Sequence, residues 1–216
     1  MGADGGGTAG RSAAQWLWTL LRDLAGWLRR EPMAVPEGCR AMSHSADARF
    51  VVWAVAAADL VVEVVVDAMV PAAYRVLHLL WAGCALVLCA GFGAMTARTP
   101  HLLDARVLRL RTGPFRELSL PLSRVVGARA EHGLTVGHGL RGSPDDGEGV
   151  ACSVSSATTV VLVLDRPVEV RLRRGGSVMA RRVRFCADRP AEAARLIREA
   201  AGRAAAQEPD RDRAGA

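Results

Sequence analysis

Val76 to Ala97 reads VLHLLWAGCALVLCAGFGAMTA, a run that contains no Asp, Glu, Lys or Arg. Its one titratable imidazole, His78, stands near the start of the run. Because a helix rises 1.5 Å per residue, about 20 apolar residues cross the ~30 Å hydrocarbon layer of a bilayer. This composition predicts a transmembrane helix.

A second long apolar segment, FVVWAVAAADLVVEVVVDAMV from Phe50 to Val70, precedes it, and only PAAYR separates the two. Residues 50–97 therefore predict a hairpin of two transmembrane helices. Arginines flank both ends of this hairpin, whereas its turn carries Arg75 alone. By the positive-inside rule, the chain is predicted to be a multi-pass protein of the cell membrane with both termini in the cytoplasm.

Three acids interrupt the first apolar segment: Asp59, Glu63 and Asp67, at positions i, i+4 and i+8 of one helical stripe. Each acid costs about 2.5–3.5 kcal/mol at a bilayer centre, so the stripe needs shielding by the second helix, another copy, another protein or water. His78 is the titratable partner within the facing helix, and Arg75 is within reach of Asp67. The stripe predicts a partner interface or a proton or cation path; the alternative is an amphipathic helix that lies outside the bilayer.

Residues 12–30 predict an amphipathic helix, which a capping box formed by Ser12 and Gln15 opens. Its apolar arc and terminal arginines are typical of a helix in the membrane interface, with a helix packed on the soluble domain as the alternative. The predicted membrane-surface residues are Trp16, Trp18, Trp27, Arg29 and Arg30. The flanking residues 1–11 are expected to be disordered, and residues 31–49, with two prolines, to form a linker.

From residue 101 the pattern becomes strand-like, and residues 101–204 predict a small mainly-β domain. Pro190 opens a C-terminal helix, and residues 205–216 are expected to be disordered. The predicted strands are 105–111, 115–120, 125–131, 150–154, 158–165, 168–173 and 178–185. A barrel or β-sandwich closed by that helix accommodates them, and the fragment 101–216 is expected to fold alone.

The net charge of +6 is unevenly placed: residues 98–216 hold 21 Arg against 14 acids, and the chain has no Lys. A basic soluble domain suits anionic lipid headgroups. Nucleic acid is the weaker alternative and is not an expected partner.

Several short motifs match patterns found in binding or metal sites, but the sequence around them does not support such sites. Gly137 to Gly142 fits G-x-G-x-x-G, but a loop former follows it and no βαβ unit surrounds it, so a hairpin tip is the better interpretation. The five cysteines lack metal-ligand or disulfide spacing and are expected to be unpaired thiols. The sequence therefore predicts no catalytic residues, no metal, no cofactor and no small-molecule substrate.

Two apolar helices, a strand, a Thr-Gly turn and a strand ending in Pro-Leu-Ser-Arg-Val resemble the bacterial PH-like (bPH) membrane proteins. The matching pieces are Arg111–Phe115, Leu120–Val126 and Val183–Arg198, within residues 50–203. The resemblance implies a PH-type barrel at the cytoplasmic face and a role in interaction and assembly, and no binding residue carries over. The predicted fold class is a membrane α-helical hairpin plus a small mainly-β, PH-like barrel domain with a C-terminal helix.

Two functional hypotheses follow. The first is a non-enzymatic interaction and assembly module, anchored in the lipid bilayer and associated with another membrane protein or with itself. The second is an oligomeric proton or cation pathway through the acidic stripe, which needs several chains because two helices enclose no path.

Overall fold

The computed structural model describes residues 13–33, 35–113, 117–135, 137–143, 146–172 and 176–207. Within these residues the chain forms two compact units. The helical unit contains residues 13–33 and 46–98, and the β unit contains residues 35–45 and 99–207. The predicted disorder of residues 1–11, the capping residue Ser12 and residues 208–216 of the predicted tail lie outside the described residues.

Three helices form the helical unit: α1 (Ala13–Leu28), α2 (Ala46–Met69) and α3 (Arg75–Ala97). Pro71 follows the end of α2 and cannot continue the helix, and a 3-10 turn at Ala72–Tyr74 leads into α3. The helices α2 and α3 pack antiparallel, because Trp53 near the start of α2 lies beside Gly93 near the end of α3. The predicted hairpin of helices is confirmed, although α2 begins four residues before the predicted Phe50.

One helix of the described chain is long and apolar enough to cross a membrane by length and composition: Ala72–Ala97, the helix α3 with its leading turn, of mean hydropathy 2.0. The helix α2 has 24 residues and is long enough to cross a membrane. The three acids of its stripe, Asp59, Glu63 and Asp67, leave it less apolar than α3. The second predicted span is therefore long enough and not apolar enough on its own.

Among the described residues, the β unit contains nine strands in two sheets. The first sheet has the order β1-β2-β3-β4 and is antiparallel throughout. Its strands are β1 (Arg40–Met42), β2 (His101–Leu103), β3 (Val107–Arg111) and β4 (Glu117–Pro121). A 3-10 turn at Leu122–Arg124 leads from this sheet to the second one.

The second sheet has the order β5-β8-β9-β7-β6, in which only β7 and β9 run parallel. Its strands are β5 (Val125–Leu134), β6 (Gly139–Ser143), β7 (Asp146–Ser153), β8 (Ala157–Arg171) and β9 (Ser177–Phe185). No closed barrel forms among the described residues, so the barrel prediction is replaced by two open sheets.

The strand predictions need four corrections. The strand β2 at His101–Leu103 was not among the predicted strands, which began at residue 105. Residues 31–49 are not only a linker, because Arg40–Met42 pairs with β2 as an edge strand. The glycine-rich stretch from Gly139 forms β6, which pairs with β7. The two strands predicted at 158–165 and 168–173 are one strand, β8, whose pairing with β9 shifts register between Val163 and Val168.

Alternating leucines explain the first sheet: in β3 and β4, Leu108, Leu110, Leu118 and Leu120 point inward, and the residues between them stay accessible. The helix α4 (Pro190–Gln207) begins at the predicted proline and buries Ile197 with a row of alanines in the same core. It continues through residues 205–207, which were predicted to be disordered.

Candidate functional site

The predicted acidic stripe lies on the face of α2 that packs against α3. Asp59, Glu63 and Asp67 are each partly buried, whereas the valines and leucines between them are exposed. Their helical spacing places the three carboxylates on one side of α2, and the contact of Glu63 with His78 on α3 identifies that side. The chain's own second helix therefore shields this part of the stripe.

The closest charged contact of the stripe joins Glu63 to His78. Nε2 of His78 lies 2.9 Å from Oε2 of Glu63, an ion-pair distance, although the angles are not those of a hydrogen bond. Both side chains are more than four-fifths buried. The predicted partnership between this imidazole and the stripe is thus present in the structure.

Asp67, the last acid of the stripe, is placed differently from Glu63. Oδ1 of Asp67 is buried and has no hydrogen-bond partner among the described residues. Arg75 donates to the carbonyl of Val70 at 3.3 Å instead of reaching Asp67. A buried carboxylate oxygen without a donor is costly, so a donor outside this chain would stabilise Asp67.

The helix α1 packs on α3 through the edge of its apolar arc. Leu20, Asp23 and Gly26 form its buried stripe, and Leu20 fills the space above Gly91 of α3. Asp23 is also buried, and the exposed guanidinium of Arg22 lies 3.1 Å from its carboxylate. Within the helical unit, packing on α3 is the observed arrangement, which neither sequence interpretation named.

The predicted membrane-surface residues stay accessible in this arrangement. Trp16, Trp18 and Trp27 are 38%, 69% and 43% exposed, and Trp27 also lies 6.0 Å from the ring of Trp53. Arg29 is exposed and lies 3.7 Å from Glu31. Most of the apolar arc of α1 thus stays accessible, while Leu20 at its edge packs on α3.

Arg30 occupies an unusual backbone position. The amide of Arg30 donates to Trp27 and that of Glu31 to Gly26, which together form a Schellman end to α1. Arg30 stands at the left-handed position of this motif with φ 55°, where glycine is favoured. A side chain there costs about 1–2 kcal/mol, so an arginine is retained at a conformational cost.

A pair of buried histidines in the β unit was missed by the sequence reasoning. His44 follows β1 and His101 opens β2, and their rings stack with centroids 4.2 Å apart. His101 accepts from the amide of Arg111 at 2.9 Å and donates to the carbonyl of Cys186 at 2.9 Å. His44 donates to the carbonyl of Thr99 at 2.7 Å, and its other nitrogen lies 2.5 Å from the hydroxyl of Ser45.

These partners fix the protonation of His101. A carbonyl only accepts and an amide only donates, so the neutral tautomer with hydrogen on Nε2 satisfies both bonds. Burial, then the neighbouring His44, hold the pKa of His101 well below its ordinary value. No sequence pattern joins these histidines, because they are 57 positions apart and meet only through the pairing of β1 with β2.

The chain offers few groups arranged for chemistry. No group of three or more His, Cys, Asp or Glu side chains comes together among the described residues. No disulfide joins the five cysteines among the described residues, as predicted, and burial raises the pKa of the Cys152 thiol to about 12, which leaves it unreactive. The cleft beside β1 and the start of α4 measures about 110 Å³, below the ~300–1,000 Å³ of ligand pockets.

Comparison with known protein families, with curated proteins and with solved structures gave no match. The resemblance to the PH-like membrane proteins therefore stays a prediction. The function of this chain is therefore inferred from its own geometry.

Proposed function

We propose that this chain is a multi-pass membrane protein that acts as a non-enzymatic interaction and assembly module, with its basic β unit at the cytoplasmic face of the membrane. The observation that carries the proposal is the inverted arrangement of α2 and α3. Their large apolar side chains are exposed, while the acids of the stripe turn toward the partner helix.

The exposed apolar surface is extensive. Phe50, Met69 and Trp81 are 74%, 81% and 70% exposed, and most of the valines and leucines of both helices are also exposed. Soluble monomers rarely expose contiguous apolar patches larger than a few hundred Å². Lipid tails would cover such a surface, and both helices would then span the bilayer although α2 is too polar to do so alone.

The β unit supports the second part of the proposal. Two antiparallel-rich sheets over one core, with α4 packed on β5, are the coarse features that a PH-like domain shares. The unit is basic, which suits binding through a charged surface.

Membrane retention and topology test the first part. We expect the full chain to stay in membranes after an alkaline wash, and reporters fused at either terminus to be active in the cytoplasm. Release of the chain by the wash would refute the membrane assignment. A terminus reported outside the cytoplasm would refute the orientation.

Affinity purification in gentle detergent tests the assembly role. The wild type is compared with the stripe variant Asp59→Asn, Glu63→Gln, Asp67→Asn and with the outward-facing variant Val61→Ala, Val62→Ala, Val65→Ala. We expect specific partners to be retained by the wild type, including further copies of the chain, and to be lost from one of the two variants. A wild type that purifies as a monomer without partners would overturn the assembly role.

A second candidate function is an oligomeric proton or cation pathway, and the unpartnered Oδ1 of Asp67 beside the Glu63–His78 pair favours it. Several copies would be needed to enclose the path. It predicts pH-dependent flux in reconstituted vesicles that Asp59→Asn with Glu63→Gln abolishes. Flux that survives this double substitution would remove the pathway.

A further inference from the structure

The helix α1 runs alongside α3 in the same direction. Leu20 of α1 fills the space above Gly91 of α3. Further along both helices, a Cβ atom at Gly26 would stand 3.0 Å from the guanidinium carbon of Arg98, the residue that follows α3. Six positions along α1 therefore correspond to seven along α3, and at 1.5 Å per residue the two helices advance at nearly the same rate. A helix that crossed α3 at a right angle would contact it at one level only.

Two further contacts hold the C-terminal end of α1 at the C-terminal end of α3. Arg98 donates to the carbonyl of Glu31 at 2.9 Å. The ring of Trp27 lies 6.0 Å from that of Trp53, which lies beside Gly93. The two helices thus end at the same level, and the first half of α1 lies alongside an earlier part of α3.

Charge divides α1 into two halves along this direction. Its first nine residues, AAQWLWTLL at positions 13–21, contain no Asp, Glu, Lys or Arg. The charged residues come later, at and beyond the middle of the helix: Arg22, Asp23, Arg29, Arg30 and Glu31. Uncharged residues suit the hydrocarbon layer of a bilayer, and charged residues suit its headgroup region. The half of α1 that is remote from Arg98 is therefore the half suited to hydrocarbon.

The uncharged half of α1 also presents large apolar side chains that the chain itself does not cover. Trp16, Leu17, Trp18 and Leu21 are exposed, and Leu20 is the one fully buried residue of positions 13–21. On α3, Val87 and Leu88 are exposed within one turn of Gly91. The open apolar surface of α1 therefore continues that of α3, for which lipid tails are the proposed cover.

We propose that α1 is a third membrane-embedded helix, inserted beside α3 into the cytoplasmic leaflet, with its uncharged half in contact with lipid acyl chains. A helix that lies flat in the interface would instead keep both ends at the same depth. This inference rests on the proposed function, under which α3 spans the bilayer. Trp18 then lies up to about 14 Å deeper than Trp27, within the ~15 Å of one leaflet.

Depth-dependent quenching of tryptophan fluorescence tests this placement. The full chain is reconstituted into phosphatidylcholine vesicles whose lipids carry a spin label at a shallow or at a deep position of the acyl chain. Three variants each keep one tryptophan, Trp18, Trp27 or Trp81, and have phenylalanine in place of the others. Trp81 is an exposed residue of α3 and is the reference for a side chain in contact with lipid.

We expect the deep label to quench Trp18 more strongly than the shallow label does, and the opposite order for Trp27. Equal depths for these two residues would show a helix that lies flat and would overturn the proposal. Quenching of Trp81 alone would place α1 outside the bilayer and would overturn it as well. If none of the three were quenched, the proposed membrane function itself would be refuted, so the two failures are distinguishable.

Thiol labelling gives a second measurement that keeps every tryptophan. Alanine replaces the three cysteines that are not buried, Cys39, Cys84 and Cys89, and Leu17→Cys or Leu28→Cys is then introduced. Both leucines are exposed in the protein, so a difference between them reports the bilayer. We expect a membrane-impermeant maleimide on the cytoplasmic side to label Leu28→Cys, and to label Leu17→Cys only after detergent is added. Labelling of both without detergent would overturn the proposal.

The packing of α1 on α3 can be tested as the cause of this depth. Gly91→Leu fills the space that Leu20 occupies, so α1 should leave α3 and the quenching of Trp18 should shift toward the shallow label. Gly83→Leu is the matched control, because no atom lies within 4 Å of a Cβ at that position, and should leave Trp18 deep. A Trp18 that remains deep in Gly91→Leu would overturn the inference that α3 holds α1 in the leaflet.

Discussion

At the scale of single residues, His101 makes the stability of the β unit depend on pH. Burial chiefly, and then His44 and Arg111, lower its pKa, while its hydrogen bond to the Cys186 carbonyl acts in the opposite direction. The unfolded chain binds the proton with a pKa of about 6.5, so protons favour the unfolded state below that pH. We expect stability to be constant above about pH 6.5 and to fall as the pH decreases below it.

Unfolding of the full chain between about pH 5.5 and 7.5 measures this slope. His101→Gln should lower the stability at neutral pH, because both hydrogen bonds are disturbed, and should flatten the slope. His132→Gln, a substitution of an exposed histidine on β5, is the control and should keep the wild-type slope. The same slope in wild type and His101→Gln would contradict the assignment.

A second residue-scale prediction concerns Gly91 of α3. A Cβ atom at this position would overlap the side chain of Leu20 and stand 2.5 Å from its Cγ. Overpacking of this kind costs about 1–3 kcal/mol, so Gly91→Ala should destabilise the helical unit and expose α1 to protease. Gly83→Ala on the same helix meets no atom within 4 Å and is the control.

Removal of the opposing methyl groups gives a sharper test of the same contact. In the Gly91→Ala background, Leu20→Ala should restore much of the lost thermal stability, because it reopens the space that the new Cβ needs. Additive losses in the double variant would show that α1 does not pack at Gly91.

At the scale of elements, the contact between Glu63 and His78 couples α2 to α3. Loss of one partner leaves the other buried without compensation, which costs about 1–3 kcal/mol. His78→Leu alone and Glu63→Leu alone should therefore lower the thermal stability in detergent. The double variant should be close to wild type, because both polar groups are gone. A double variant as unstable as the sum of the two would disprove the coupling.

At the scale of the whole molecule, the β unit is discontinuous. Residues 35–45 precede α2 and supply β1, the core side chain Met42 and His44, whereas residues 99–207 follow α3. A fragment that starts at Thr99 loses this strand and leaves β2 as an exposed edge. The C-terminal fragment, which was expected to fold alone, would therefore be a domain that lacks one edge strand and is less stable.

Two soluble chains test this discontinuity. In one, a Gly-Ser linker replaces residues 46–98 and keeps residues 35–45; the other contains residues 99–216 only. We expect the linked chain to be more stable by at least about 2 kcal/mol, the lower range for loss of a buried methionine side chain. Equal denaturant midpoints would show that β1 contributes nothing to the fold.

Much of the fold was predictable where one local signal was strong. The uncharged run from Val76 predicted α3, and the alternating leucines of β3 and β4 predicted a sheet. Pro71 marked the turn after α2, and Pro190 marked the start of α4. The strand β1 escaped prediction because three residues carry no alternation. The strand β6 escaped because its glycines are typical of a turn.

The candidate sites divide in the same way. The spacing of Asp59, Glu63 and Asp67 fixed them on one face of a helix, and the loop between the helices was short enough to bring His78 opposite. The histidine pair has no local signal, because His44 follows β1 and His101 opens β2, far apart along the chain.

The sequence by itself determined which segments are helical and apolar, where the acidic stripe lies and that the C-terminal half is basic, because these properties depend on neighbours a few residues apart. Tertiary structure alone decided that β1 joins the β unit from the far side of the hairpin and that His44 meets His101. Those features depend on strand order and register, which are set by the packing of the whole core.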